Sequence, residues 1–86
     1  MSCYYLVTKK QDSALEGSLY YCQQAAEQLI NSGKYELLKI VRCRADEPTG
    51  RIMWDYDRYG NRQARGVRYL KSAKLRNLCR ENPLAV

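Results

Sequence analysis

The sequence predicts an α+β fold in the order β-α-β-β-β-α. A mainly antiparallel sheet of four short strands packs on one long helix, with a short helix at the C-terminal end. Three observations predict it. Apolar side chains recur at helical spacing through residues 14–32. Four other segments are rich in β-branched and aromatic residues and bounded by turn formers. Two of these flank Gly60-Asn61, a dipeptide suited to a two-residue hairpin turn. Eighty-six residues make one domain, 1–86.

Residues 3–8 (Cys-Tyr-Tyr-Leu-Val-Thr) read as the first strand, and Lys9–Asp12 as its polar exit. Ser13-Ala14-Leu15-Glu16 fits a capping box, with Ser as N-cap and Glu three residues on. Leu15, Leu19, Cys22, Ala26, Leu29 and Ile30 then line one helical face. Gly17 weakens that start by about 1 kcal/mol relative to Ala, which offers Ser18 as a second starting point. Gly33 is a natural left-handed stop.

Residues 35–43 form the second strand. Leu37, Val41 and Cys43 face one way and Leu38 and Ile40 the other, the pattern of a strand inside a sheet. Arg44–Gly50 is a loop marked by Pro48 and Gly50. With Gly60-Asn61 as the turn, strands 51–59 and 62–70 pair so that Trp54 opposes Val67, Ile52 opposes Tyr69 and Tyr56 opposes Arg65. Asp55, Asp57, Arg62 and Arg68 share the other face. Ser72 caps a last helix, residues 73–81, with Leu75, Leu78 and Cys79 inward, and Asn82-Pro83 ends it. The first two strands, joined by the long helix, are expected to run parallel as neighbours. The predicted core comprises Tyr5, Val7, Leu19, Cys22, Ala26, Leu29, Ile30, Leu38, Ile40, Ile52, Trp54, Val67, Leu75 and Leu78.

Charge is distributed unevenly. Lys and Arg number 15 against 9 Asp and Glu, for a formal net charge of +6. Between residues 58 and 80 stand Arg58, Arg62, Arg65, Arg68, Lys71, Lys74, Arg76 and Arg80, with no carboxylate among them. Such a run repels itself and calls for an anionic partner. With eight Tyr and one Trp in the chain, arginines lie beside aromatic rings. That combination suits phosphates and stacked bases, or an acidic protein surface.

Reaction chemistry finds little support. Cys3, Cys22, Cys43 and Cys79 are widely spaced, and the chain has no His, so neither a zinc site nor a Cys–His nucleophile is expected. Asp55 and Asp57 are explained by cross-strand pairing with arginines. No glycine-rich phosphate loop is present. No apolar run reaches the roughly 18–20 residues of a membrane span. The N-terminus lacks the pattern of a secretion signal, so a cytoplasmic location with reduced cysteines is expected.

From Ser13 to Glu81 the order α-β-β-β-α resembles that of double-stranded-RNA-binding domains. Lys71-Ser72-Ala73-Lys74 is similar to that family's Lys-Lys-x-Ala-Lys motif. The resemblance implies a phosphate-gripping role for Lys71 and Lys74. The family's Gly-Pro-x-His motif has no counterpart in Arg44–Gly50, and the last helix is short. In size and charge bias the chain is also similar to accessory proteins of phages and mobile elements, such as anti-CRISPR inhibitors.

The expected function is therefore that of a small basic non-catalytic binding protein, not an enzyme and without cofactor or metal. It is expected to contact nucleic-acid phosphates through Arg58, Arg62, Arg65, Arg68, Lys71, Lys74 and Arg76, with Tyr56 or Tyr59 stacking on bases. The alternative is an inhibitor or modulator of a host nucleic-acid-processing or defence complex, acting by direct protein binding with the same residues. Either works as a monomer or a homodimer.

Overall fold

The computed structural model describes residues 2–86. It has five strands and two helices: β1 (Ser2–Thr8), β2 (Ala14–Gly17), α1 (Leu19–Asn31), β3 (Leu37–Arg44), β4 (Thr49–Asp57), β5 (Gly60–Lys71) and α2 (Ser72–Glu81). The strands form one antiparallel sheet in the order β2-β1-β3-β4-β5. The α+β class and the antiparallel sheet match the sequence-based expectation, but the sheet has five strands and not four.

The extra strand is β2, drawn from residues expected to begin the helix. The Lys9–Ser13 turn brings it back along β1. Thr8 Oγ1 holds the turn, donating to Asp12 Oδ1 at 2.6 Å and accepting the Asp12 and Ser13 N–H groups at 3.2 and 3.3 Å. Gln11 takes a positive φ of 59° there. The helix then starts at the second candidate cap: Ser18 Oγ accepts the Tyr21 N–H at 3.1 Å. Ser13 lies five residues too early, because β2 pairs with β1 from Val7↔Ala14 to Tyr4↔Gly17.

The β1–β2 hairpin also sets the direction of β3. It reverses the chain once before α1, so β3 returns antiparallel to β1, not parallel as expected. The register runs from Ser2↔Arg44 to Thr8↔Leu38. β3 is interior, as its two-sided apolar pattern predicts.

The sheet is covered on both faces. On one, α1 seats Cys22, Ala25, Ala26, Leu29 and Ile30 against Leu6, Leu15, Leu38, Ile40 and Tyr56. On the other, α2 sets Leu75 against Tyr5, Val7, Ala14, Val41 and Cys43. The expectation placed α2 at one end of a one-sided core. Instead it closes a second core, because β1 and β3 bury alternate residues on both sides. The chain end then wraps around β2. Ala14 N–H donates to the Asn82 carbonyl at 3.3 Å, Leu84 N–H donates to the Ala14 carbonyl at 3.0 Å, and Leu84 joins the α1-side core.

The β4–β5 hairpin departs most from expectation. Its turn is Arg58-Tyr59, not Gly60-Asn61, with Asp57 paired to Gly60 and Tyr56 to Asn61. Asp57 Oδ1 accepts the Tyr59 N–H at 2.9 Å, and Gly60 takes φ 125°. Asp at the first and Gly at the fourth position are favoured in the commonest β-turn, and this preference wins over the Gly-first turn. Further along, the register shifts between Ile52 and Trp54, with Gly66 at φ 70°. The irregularity sends Ile52 and Trp54 to opposite faces: Ile52 packs on the α2 side and Trp54 on the α1 side. Val67, expected in the core, is 60% exposed on the edge strand β5, whereas Tyr69 and Leu70 further along pack on the α2-side core. Leu19, Ile52, Trp54 and Leu78 are only half-buried, whereas Leu6, Ala14, Leu15, Ala25, Val41, Cys43, Tyr56 and Leu84 are buried without having been expected in the core.

Gly50 is packed closely against the α2-side core. A Cβ there would clash with Val41 Cγ1 and come within 3.1 Å of Leu75 Cδ1. Gly50→Ala is expected to destabilise the protein by about 1–3 kcal/mol through overpacking. Urea denaturation checks this: a lower midpoint at unchanged slope is the expected result.

Candidate nucleic-acid interface

The basic run is contiguous in sequence but divided in space. Arg58 and Tyr59 form the β4–β5 turn, with the Arg58 guanidinium carbon 5.0 Å from the Tyr59 ring centroid. Tyr59 is 80% exposed. Arg62 lies on the α2 face and donates from Nη2 to Asp57 Oδ2 at 2.9 Å. Asp55 stands opposite Arg62 but pairs instead with Lys39 Nζ at 3.1 Å. Arg65 lies in the irregular stretch of β5, not beside Tyr56 at the turn as expected. Arg68 is on the α1 face and not on the face of Arg62. The same register irregularity separates them.

Lys71, Lys74 and Arg76 are exposed at the junction of β5 and α2. Lys71, not Ser72, is the N-cap of α2, and no side chain caps that end. Arg76 and Arg80 border a separate cleft with Tyr5, Glu16 and Cys79. Tyr56 is only 4% exposed, and burial raises its phenol pKa. It is a core residue and has no ring face free for a base. Of the two tyrosines expected to stack, Tyr59 alone is placed to do so.

Sequence reasoning missed a cationic cluster whose members come from three strands. Arg42 on β3 stands opposite Arg51 on β4, and Arg51 stands opposite Arg68 on β5. All three project from the α1 side of the sheet, past the end of the helix cover. Arg42, Arg44, Arg51 and Arg65 line one open hollow of about 480 Å³, together with Glu47, Met53, Ala64 and Gly66. No residue of α1 borders it. Like charges placed directly opposite on neighbouring strands destabilise a sheet. This arrangement sets two such pairs in series, with one carboxylate, Glu47, in the hollow.

Arg51 is the fixed member. Its Nε donates to Glu47 Oε2 at 2.7 Å and its Nη1 donates to the Gly66 carbonyl at 3.0 Å. That carbonyl belongs to the positive-φ residue of the β5 irregularity. The hydrogen bond from Arg51 holds the Glu47 carboxyl below its ordinary pKa. Arg42 Nε is buried and finds no hydrogen-bond acceptor among the described residues. The only sequence signal for this cluster was the i, i+2 spacing of Arg42 and Arg44. Its meaning depends on which strands are neighbours.

The cysteines are core residues. Cys22 and Cys43 are buried, and Cys3 and Cys79 are half-buried. Burial pushes the Cys22 thiol up to about 12 and raises Cys3 and Cys43 as well. Among the described residues no three His, Cys, Asp or Glu side chains group as metal ligands, and no helix is long and apolar enough to cross a membrane. Comparison with protein families, with curated proteins and with solved structures finds no match to this chain.

This geometry has two measurable consequences. Relieving one like-charge pair with Arg68→Gln should stabilise the fold by roughly 0.2–1 kcal/mol. Thermal melts should show the gain at low ionic strength and its loss at high salt. The raised thiol pKa of Cys22 means that its neutral form is favoured in the fold. Its contribution to stability is complete below about pH 9 and declines as pH climbs towards 12. Urea midpoints across that range should fall less in Cys22→Ala, once each variant is compared with its own neutral-pH value.

Proposed function

We propose that this protein is a non-catalytic binding protein that holds nucleic-acid phosphates on the arginine-lined end of its sheet. The observation that carries the reading is the row Arg42–Arg51–Arg68. A fold that sets three arginines opposite one another on neighbouring strands, at a cost to its own stability, is poised for an anionic ligand that removes the repulsion. Arginine pairs with phosphate oxygens through two parallel N–H donors, which makes it the better residue for this task than lysine. Arg65 and Lys71 extend the surface along β5. Lys74 lies exposed at the start of α2, whereas Arg76 borders the separate cleft on the α2 side and is not part of this surface. Tyr59, with Arg58 packed on its ring, offers an exposed stacking face at the far end of the hairpin. This reading requires no reaction centre, cofactor or metal.

A second reading has its own support. The turn tip presents an exposed tyrosine flanked by Arg58 and Arg62, the residue types that dominate protein-interface hot spots. A partner with an acidic surface would use that tip, and the protein would then act as an inhibitor or adaptor of another protein.

Fluorescence anisotropy with labelled duplex DNA, duplex RNA and single strands separates the two. Engagement of three or four phosphates lowers affinity by roughly 20- to 150-fold between about 0.05 and 0.2 M salt. The Arg65→Glu/Arg68→Glu variant is expected to lose binding, whereas Arg58→Glu should weaken it less. No binding to any probe at the lower salt would overturn the nucleic-acid reading and leave the acidic-protein partner.

A further inference from the structure

The hollow beside the arginine row has a more specific construction than a basic surface requires. Four arginines line it, and one of them is already oriented. Arg51 is fixed at Nε by Glu47 and at Nη1 by the Gly66 carbonyl. Its side chain retains only 29% of its exposure. Glu47 comes from the β3–β4 loop, which is itself tied back: the Glu47 N–H donates to the Arg44 carbonyl at 3.1 Å, and the Ser72 N–H to the Pro48 carbonyl at 2.9 Å. The carboxylate is therefore held in the hollow by the loop and is not a loose surface contact. A carboxylate and a phosphate present similar oxygen pairs to a guanidinium.

We infer that the hollow formed by Arg42, Arg44, Arg51 and Arg65 is a seat for a single phosphate group, in which Glu47 is the resident carboxylate that an incoming phosphate displaces from Arg51. This rests on the phosphate-binding reading given above and deepens it. The ligand is a phosphate carrying one or two negative charges, supplied either by a backbone phosphodiester or by a terminal phosphomonoester. Arg51 remains anchored through the Gly66 carbonyl when Glu47 leaves, so the exchange needs no refolding of β5. Arg42 Nε lacks an acceptor among the described residues, and Arg44 and Arg65 line the same hollow.

The test is a titration of the full chain followed by NMR of the arginine Nε–Hε signals. The probes are inorganic phosphate, an oligothymidylate, and the same oligomer with a 5′-phosphate. Phosphate is expected to shift the Arg51 and Arg42 signals first. Glu47→Gln removes the competing charge and should tighten phosphate binding about two- to fivefold, the equivalent of losing an ion pair of this exposure. Arg65→Gln, which touches neither anchor of Arg51, should weaken it. A higher affinity for the 5′-phosphorylated oligomer assigns the seat to a terminal group; equal affinities assign it to the backbone. Oligomer binding with unmoved Arg51 and Arg42 signals and no effect of Glu47→Gln would overturn the seat while leaving the nucleic-acid reading intact. Response to inorganic phosphate, tightened by Glu47→Gln, without binding of either oligomer would keep the seat and overturn that reading.

Discussion

The structure depends on the two-sided burial of β1 and β3. Tyr5, Leu6 and Val7 are successive residues, and none is more than 1% exposed. Neighbouring side chains on a strand point to opposite faces, so no single layer can cover all three. Leu38, Ile40 and Val41 impose the same demand on β3. The fold meets it with a helix on each face, although it is short enough that neither core is large. The helices differ accordingly. α1 brings five buried residues, and α2 has Leu75 as its one buried residue. The tail then seals the β2 edge and inserts Leu84 beneath α1.

Covering the middle of the sheet leaves its far end uncovered. β5 is the longest strand and forms an open edge. An exposed edge invites pairing with other chains, and charged residues and irregular register discourage that pairing. Arg62, Arg65 and Arg68, with positive-φ Gly66 among them, serve this purpose at least. Edge protection does not explain Arg42 and Arg51, which lie on strands that already have neighbours on both sides. Their alignment with Arg68 is the feature on which the proposed phosphate binding rests. The irregular stretch of β5 links the two roles, since the Gly66 carbonyl that breaks the ladder is also the acceptor that fixes Arg51.

Much of the fold was legible in the sequence, and the misses have identifiable causes. The face of α1 came from periodicity, its end from the left-handed preference of Gly33, and the interior position of β3 from its mixed apolar pattern. β2 was hidden because Ser13 and Ser18 both offer N-caps, and local chemistry cannot rank them. The pairing of Ala14 and Leu15 with β1 and with the chain end selects Ser18. The hairpin register was misread because Asp57 and Gly60 define a turn that competes with Gly60-Asn61. Tyr56 was misassigned to the surface for a related reason: its burial beneath α1 depends on a neighbour, Leu38, that only the sheet order supplies.

By itself the sequence determined the α+β class, the helical faces, the turn-rich boundaries and the presence of excess positive charge on the C-terminal half. These are local quantities, set by spacing, side-chain type and net charge. Only the tertiary structure decided where that charge is concentrated. The linear run from Arg58 to Arg80 is dispersed by one turn, two register irregularities and one helix. The cluster that remains joins Arg42, Arg51 and Arg68, which lie nine and 17 residues apart. Strand order brings them side by side, because hydrogen bonding between backbones sets lateral neighbours without regard to the charges that the strands carry.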